Sequence, residues 1–169
     1  MNSPSPFANK LFQFLALAEG ILVAVLISGL VARSLQMSLG AQMMVLSLAG
    51  LGGIYFLSAY KPPALAATTE SDSQEQERIG FLDLLLQTII PKLIWIGCAV
   101  GSIGLSLYFT ETGNEGYTLM LMIHATVVAP ATLLIFFGAV RAVKGASLLS
   151  PVLYRAIPLL FAALYILRG

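Results

Sequence analysis

Charge is scarce in this chain. Lys and Arg number nine and Asp and Glu eight among 169 residues, 10% in all, where an ordinary soluble domain carries about 25%. With 58% of the residues hydrophobic, the polar surface that keeps a folded domain in water is missing. The two signs nearly cancel, to a net charge of +1, so no global field gathers nucleic acid or acidic substrates. Neither a Lys/Arg run nor aromatic-basic interleaving points to nucleic acid. A single cysteine, Cys98, excludes an internal disulfide. In its apolar run beside Gly97 it reads as an inert buried thiol. One histidine and one cysteine cannot build a zinc site without carboxylates from elsewhere. There is no phosphate-binding glycine loop and no GxSxG elbow. No cofactor and no catalytic constellation are expected.

What the chain has is length of apolar run. A bilayer core about 30 Å thick needs about 20 apolar residues of helix. Leu11 to Ala32 meets that length between Lys10 and Arg33. It is too long for a signal-peptide core and contains Glu19, so it reads as a retained helix. Gly40 to Tyr60 is a second span, stopped by Lys61-Pro62-Pro63. Residues 64–78, ALAATTESDSQEQER, are acidic and aperiodic, a solvated linker. The next run, Ile79 to Phe109, exceeds one span and is interrupted by Asp83, Gln87, Pro91 and Lys92. It is expected to split into a short interfacial helix, Phe81 to Ile90, and a third span over about 89–109; one long tilted helix is the alternative. Tyr117 to Val140 and Leu148 to Leu167 complete the set. The expected fold is therefore an all-α integral membrane protein, a single bundle of five transmembrane helices. Unbroken runs of this length exclude a barrel, whose strands alternate over about ten residues.

Orientation follows from the basic residues. With the N-terminus inside, Lys10, Lys61, Arg78, Arg141 and Lys144 are cytoplasmic, and Arg33 and Arg168 are outside. The positive-inside rule favours that arrangement. It puts the acidic turn 110–116 and the C-terminus outside. The expected location is a cell membrane, the bacterial inner membrane.

The two hairpins formed by the first four spans can be aligned. Ser28-Gly29-Leu30 lies on Ile103-Gly104-Leu105. With one residue inserted in the turn, Gly40 meets Gly116 and Met43 to Leu46 meet Leu119 to Met122. A parallel duplication would produce this, as would any two apolar hairpins. The first hairpin also resembles a known family. Its turn and second span, SLGAQMMVLSLAGLGGIYFLSAYKPP, are similar to the two-helix membrane stator subunit of the gliding and type 9 secretion motor in Bacteroidetes. The points of similarity are Gly40-Ala41, Met43-Met44, Phe56 and the exit Ser58-Ala59-Tyr60-Lys61-Pro62. They fall within residues 20–63. The tryptophan-rich turn and the intramembrane glutamate of that family have no counterpart, since Leu51 to Gly53 occupy the glutamate's neighbourhood. The resemblance therefore carries no functional residue and no proton-driven role to this chain.

Small residues recur every fourth position: Ala16, Gly20, Ala24 and Ser28 in the first span, Ala49 and Gly53 in the second, Gly97 and Gly101 in the third. Such stripes let helix backbones approach closely. Packing within one bundle is the expected use, and a dimer interface is the alternative. Gly50-x-Gly52-Gly53 is read as a packing motif because it lies mid-span. Pro130 can kink the fourth helix by removing one backbone bond.

Four ionisable groups fall at membrane depth: Glu19, Arg155, Lys92 and His124. Each needs an account, because a charge at the bilayer centre costs about 2.5–3.5 kcal/mol on insertion scales. Lys92, near a boundary, snorkels. His124 is expected to be neutral and bonded to a neighbouring helix, with a proton relay as the alternative. Glu19 lies eight residues into the first span and Arg155 seven into the fifth. At 1.5 Å of rise per residue, both sit roughly 10–12 Å below the same surface, so an ion pair is expected, with Lys92 as the substitute partner for Glu19; the alternative is a protonated Glu19 bonded to a backbone carbonyl and an Arg155 that snorkels to headgroups. The function expected first is that of a structural or accessory subunit, with lipid and other membrane subunits or a second copy as partners. A small transporter or proton-conducting component comes second, and a lipid-modifying enzyme third.

Overall fold

The computed structural model describes residues 6–60, 85–110, 116–140 and 151–168. The 64–78 linker, the start of the expected interfacial helix, the acidic turn 111–115 and the 141–150 connection lie outside the described residues. Every described element is helical, and no strand occurs among the described residues. The helices are α1 (Pro6–Ser34), α2 (Leu39–Ser58), α3 (Ile90–Phe109), α4 (Gly116–Val140) and α5 (Pro151–Arg168). Four of the five, α1 to α4, are long and apolar enough to cross a membrane. α5 has 18 residues and carries Arg155, Pro158 and Arg168. It is not long and apolar enough by the same measure, so the described residues hold five α-helices and four clear spans.

α1 runs five residues earlier than expected. Pro6 sits at its first position, where a missing N–H costs nothing and the fixed φ suits a helix. Its other end closes on a Schellman motif. Gln36 takes the left-handed conformation at φ 59°. The Gln36 N–H donates to Arg33 O and the Met37 N–H to Ala32 O, both at 2.9 Å, which satisfies carbonyls the helix end would orphan. The chain then reverses directly into α2. The reversal is tight: a Cβ on Gly40 would stand 2.5 Å from the Arg33 backbone nitrogen. Only glycine permits that approach.

The expected break before the third span is not seen among the described residues. Leu85–Ile89 forms a π-helical turn that passes straight into α3. Pro91, in the first turn of α3, has no N–H and crowds the carbonyl four residues back. The wider π turn relieves that crowding without ending the helix. The continuous-helix alternative is thus the one the described residues follow.

α3 is the centre of the bundle, packed against α2, α4 and α5, whereas among the described residues α1 packs its backbone against α2 alone. Ile94 and Cys98 of α3 are fully buried, as are Leu121 and Val128 of α4 and Ala156 and Ala163 of α5. Ser106 Oγ donates to Val45 O at 3.0 Å, a direct bond from α3 to α2. The two hairpins close alike. A Cβ on Gly29 would meet Met43 Cβ at 3.0 Å, and one on Gly104 would meet Met120 Cβ at 3.0 Å. The spatial match falls one residue beyond the sequence alignment, which paired Met43 with Leu119.

The small-residue stripes divide between two environments. Gly97 and Gly101 face inward, against Val128 and His124 of α4. Ala16, Gly20, Ala24 and Ser28 on α1 are exposed, as are Ala49 and Gly53 on α2. Nothing lies within 4 Å of a Cβ placed on Gly20 or Gly53. Packing within the bundle therefore holds for the α3 stripe and is corrected for the other two. The residues that close α2 on its neighbours are Gly50, against Leu22 of α1, and Gly52, against Ile103 and the Ala99 carbonyl of α3.

Candidate functional site

The polar site begins with a carboxylate in the most apolar of the four membrane-length windows, that of α1. Glu19 stands on α1 nine residues beyond Lys10, about 13 Å along the axis. No Cα of α1 comes within 8 Å of α5, so only long side chains can join the two helices. Arg155, in the second turn of α5, supplies the reach. Its Nε donates to Glu19 Oε1 and its Nη2 to Oε2, the latter at 2.8 Å. This is the bidentate arrangement in which a planar guanidinium matches a carboxylate, and it fixes orientation as well as charge.

Aromatic rings complete the setting. The Arg155 guanidinium lies over the Trp95 ring of α3, 5.4 Å from its centroid. Trp95 in turn meets the buried Tyr55 of α2, with centroids 5.6 Å apart. The Tyr55 hydroxyl and the Cys98 thiol lie within electrostatic reach of the pair. A cation over a ring face gains roughly 0.5–2 kcal/mol, the more so where water is excluded. One ion pair thus brings together α1, α2, α3 and α5 at one level of the bundle. The side chains of Arg155 and Glu19 are 29% and 13% exposed, so the pair sits at the rim of the bundle and not at its centre.

His124 occupies a different place. It is fully buried on α4, with Nδ1 2.7 Å from the Gly97 carbonyl of α3. A carbonyl only accepts, so Nδ1 carries the proton and donates, leaving Nε2 as the acceptor nitrogen. Nε2 has no hydrogen-bond partner among the described residues. The imidazole lies against Gly101, where a Cβ would stand 2.5 Å from Nδ1. The second half of the α3 stripe therefore exists to seat this ring. Ser102 Oγ and Thr132 Oγ1 are likewise buried without partners among the described residues.

The four ionisable residues do not converge. Glu19 takes Arg155 as its partner, His124 is pegged to Gly97, and Lys92 is exposed in the first turn of α3. Among the described residues no three His, Cys, Asp or Glu side chains are grouped to hold a metal ion. Sequence reasoning missed Tyr55, Trp95, Ser102 and Ser106. A signal for Trp95 was present, because the sole tryptophan stands at the depth already assigned to Arg155. At the opposite end of the bundle a second cation meets an aromatic: Arg33 lies 5.1 Å from the centroid of Phe109, which also meets Tyr108. No family model matches the chain, and no curated protein or solved structure does either.

Proposed function

We propose that this chain is a non-enzymatic structural subunit of a membrane assembly, with α1 as the helix that meets a partner. The observation that carries the reading is the isolation of α1. Its membrane-length window is the most apolar of the four, yet only 11% of that window is buried, against 56% for α3. Leu15, Gly29 and the half-buried Leu22 and Leu26 take the face toward α2, and Ala16, Gly20 and Ala24 take the opposite side. A strip without bulk lets another helix approach its backbone, where dispersion and weak hydrogen bonds act without competition from water. The pairing of Glu19 with Arg155 favours the same role, since both charges serve to hold helices together.

In this reading the chain crosses the membrane five times, N-terminus in the cytoplasm and C-terminus outside. The 18 residues of α5 extend about 27 Å, close to a hydrocarbon core. Its exposed Tyr154 and Tyr165 stand near the two ends, as interfacial aromatics do. A proton- or solute-conducting component is the second reading, favoured by the Nε2 of His124 and the hydroxyl of Ser102, buried without hydrogen-bond partners among the described residues.

Purification in mild detergent tests the proposal. The wild-type chain should run as a complex of fixed stoichiometry, with another membrane subunit or with a second copy. Gly20→Leu, at a position where a Cβ has nothing within 4 Å, should release the partner and leave the unfolding midpoint unchanged. A wild-type chain that is monomeric and alone, or a Gly20→Leu variant that keeps its partner, would overturn it. Proton or solute flux from liposomes holding the purified chain would support the second reading instead.

A further inference from the structure

Two fully buried residues hold polar atoms without a hydrogen-bond partner among the described residues: His124, at Nε2, and Ser102, at Oγ. The bond from Nδ1 to Gly97 O leaves Nε2 as an acceptor. Ser102 departs from its neighbours. Ser28, Ser47 and Thr110 each donate to a carbonyl three or four residues back on their own helix, and Ser106 donates to Val45 O. A carbonyl of that kind is within reach of a helical serine, so the Ser102 hydroxyl is turned away from its own helix. The two atoms belong to one level of the bundle, because the imidazole lies against Gly101, the residue before Ser102. The third wall is α5. Arg155 over Trp95 sets its register on α3. Among the described residues α5 packs its backbone against α3 and α4 and not against the π turn, so it runs alongside α3 from Trp95 onward. Eight residues on from Arg155 is Ala163, and seven on from Trp95 is Ser102, both roughly 10–12 Å further along. Ala163 is fully buried, so this short side chain faces the junction of α3 and α4.

We infer that the junction of α3, α4 and α5 binds one water molecule, which donates to His124 Nε2 and bridges to Ser102 Oγ. The chemistry of the two atoms selects it. Nε2 accepts, so the occupant must donate. A hydroxyl both donates and accepts, so Ser102 can hold either the water's oxygen or its second hydrogen. An ion would find no counter-charge: the other fully buried side chains of α3 and α4 are Ile94, Cys98, Leu121 and Val128, and the Glu19 and Arg155 charges answer each other. Buried waters make about 2–4 hydrogen bonds to groups otherwise unsatisfied, where there is room for them, and a methyl group at position 163 leaves room where a longer side chain would fill it. Thr132 stands outside the site, eight residues and about 12 Å along α4 from His124. The water gives α4 a second polar tie to α3 beside the Gly97 bond. The inference concerns the interior of one chain and does not depend on whether α1 meets a partner.

His124 is the sole histidine, so nitrogen-15 placed in histidine reports on this site alone. In the full chain, reconstituted in bilayers, solid-state NMR should find the proton on Nδ1 and magnetisation passing from water protons to Nε2. A wild-type Nε2 that receives none overturns the inference without any variant. Ser102→Ala should shift the Nε2 resonance and lower the unfolding midpoint by a few degrees. The sign is decisive, because alanine is the better helix former and the change removes a hydroxyl that would otherwise be buried unpaired. Without the water, Ser102→Ala therefore raises the midpoint and leaves the Nε2 resonance where it was, and that result overturns the bridge. Should Ser102→Ala fail to fold, Ser102→Cys, with its weaker hydrogen bond, must still shift the Nε2 resonance; an unmoved resonance overturns the bridge equally. Thr132→Ala should leave Nε2 as in the wild type, and a shift there would place the water elsewhere and overturn the site.

Discussion

A single methyl group placed on Gly101 should damage this protein far more than one placed on Gly20, although both glycines belong to stripes of the same kind. A Cβ on Gly101 would lie 2.5, 2.6 and 2.9 Å from Nδ1, Cγ and Cε1 of His124. Non-bonded heavy atoms settle at about 3.5–4.0 Å, so the imidazole must retreat by about 1 Å. It cannot do so freely, because Nδ1 is held 2.7 Å from Gly97 O, on the same helix as Gly101. Moving away from α3 stretches that bond to about 3.7 Å, where it no longer counts as one. Overpacking costs roughly 1–3 kcal/mol, and an interhelical hydrogen bond in a membrane bundle contributes about 0.6–1.7 kcal/mol. Gly101→Ala should therefore destabilise by about 2–4 kcal/mol. For a chain of 169 residues that is a fall in unfolding midpoint on the order of 10 °C. Gly20→Ala meets nothing within 4 Å and should be neutral, or stabilising by up to about 1 kcal/mol through helix propensity. The assay is thermal unfolding in detergent, read by Trp95 fluorescence. In a His124→Ala background the ring is gone, and Gly101→Ala should then cost less than about 1 kcal/mol, the signature of coupled neighbours. Equal midpoints for Gly101→Ala and Gly20→Ala, or an undiminished cost without the ring, would refute the reasoning.

Two further outcomes are expected. Gln36 holds a left-handed conformation at φ 59° that costs a side-chain-bearing residue roughly 1–2 kcal/mol, so Gln36→Gly should raise the unfolding midpoint slightly; a fall would mean that its side chain does more than complete the turn. Reporter fusions after Lys144 and after Gly169 should report opposite compartments, the former cytoplasmic; identical readings would remove α5 as a span.

The charged contact was legible because rise per residue converts sequence position into depth, and opposite charges at equal depth in a poor solvent attract. Glu19 and Arg155 needed no more than that. His124 was legible for a related reason: a buried imidazole in an apolar run takes a backbone carbonyl when a neighbouring helix offers one. The small-residue stripes were not legible in the same way. Spacing tells which residues share a face but not what that face meets. Hydrocarbon is as apolar as leucine, so a face turned to lipid and a face turned to another helix have the same composition. Ala16, Gly20 and Ala24 were consequently assigned to the interior, and Gly29 and Gly40, which close α1 on α2, stood only as alignment points and, for Gly40, as the start of a span. The continuity of 85–109 was hidden because Pro91 reads as a break until a π turn is seen to absorb it.

The partners in the ion pair are 136 positions apart, and that separation is also an interval of time. A ribosome adding about 5–20 residues per second completes Glu19 roughly 7–27 s before it reaches Arg155. Throughout that delay the first helix carries its acid without a counter-charge, and the third helix carries Trp95 with no cation above it. The last helix delivers one side chain that satisfies both. A nascent chain halted after α4 would leave an uncompensated carboxyl group on a helix otherwise made for lipid. An unpaired acid on α1 would thus distinguish an unfinished copy from a finished one.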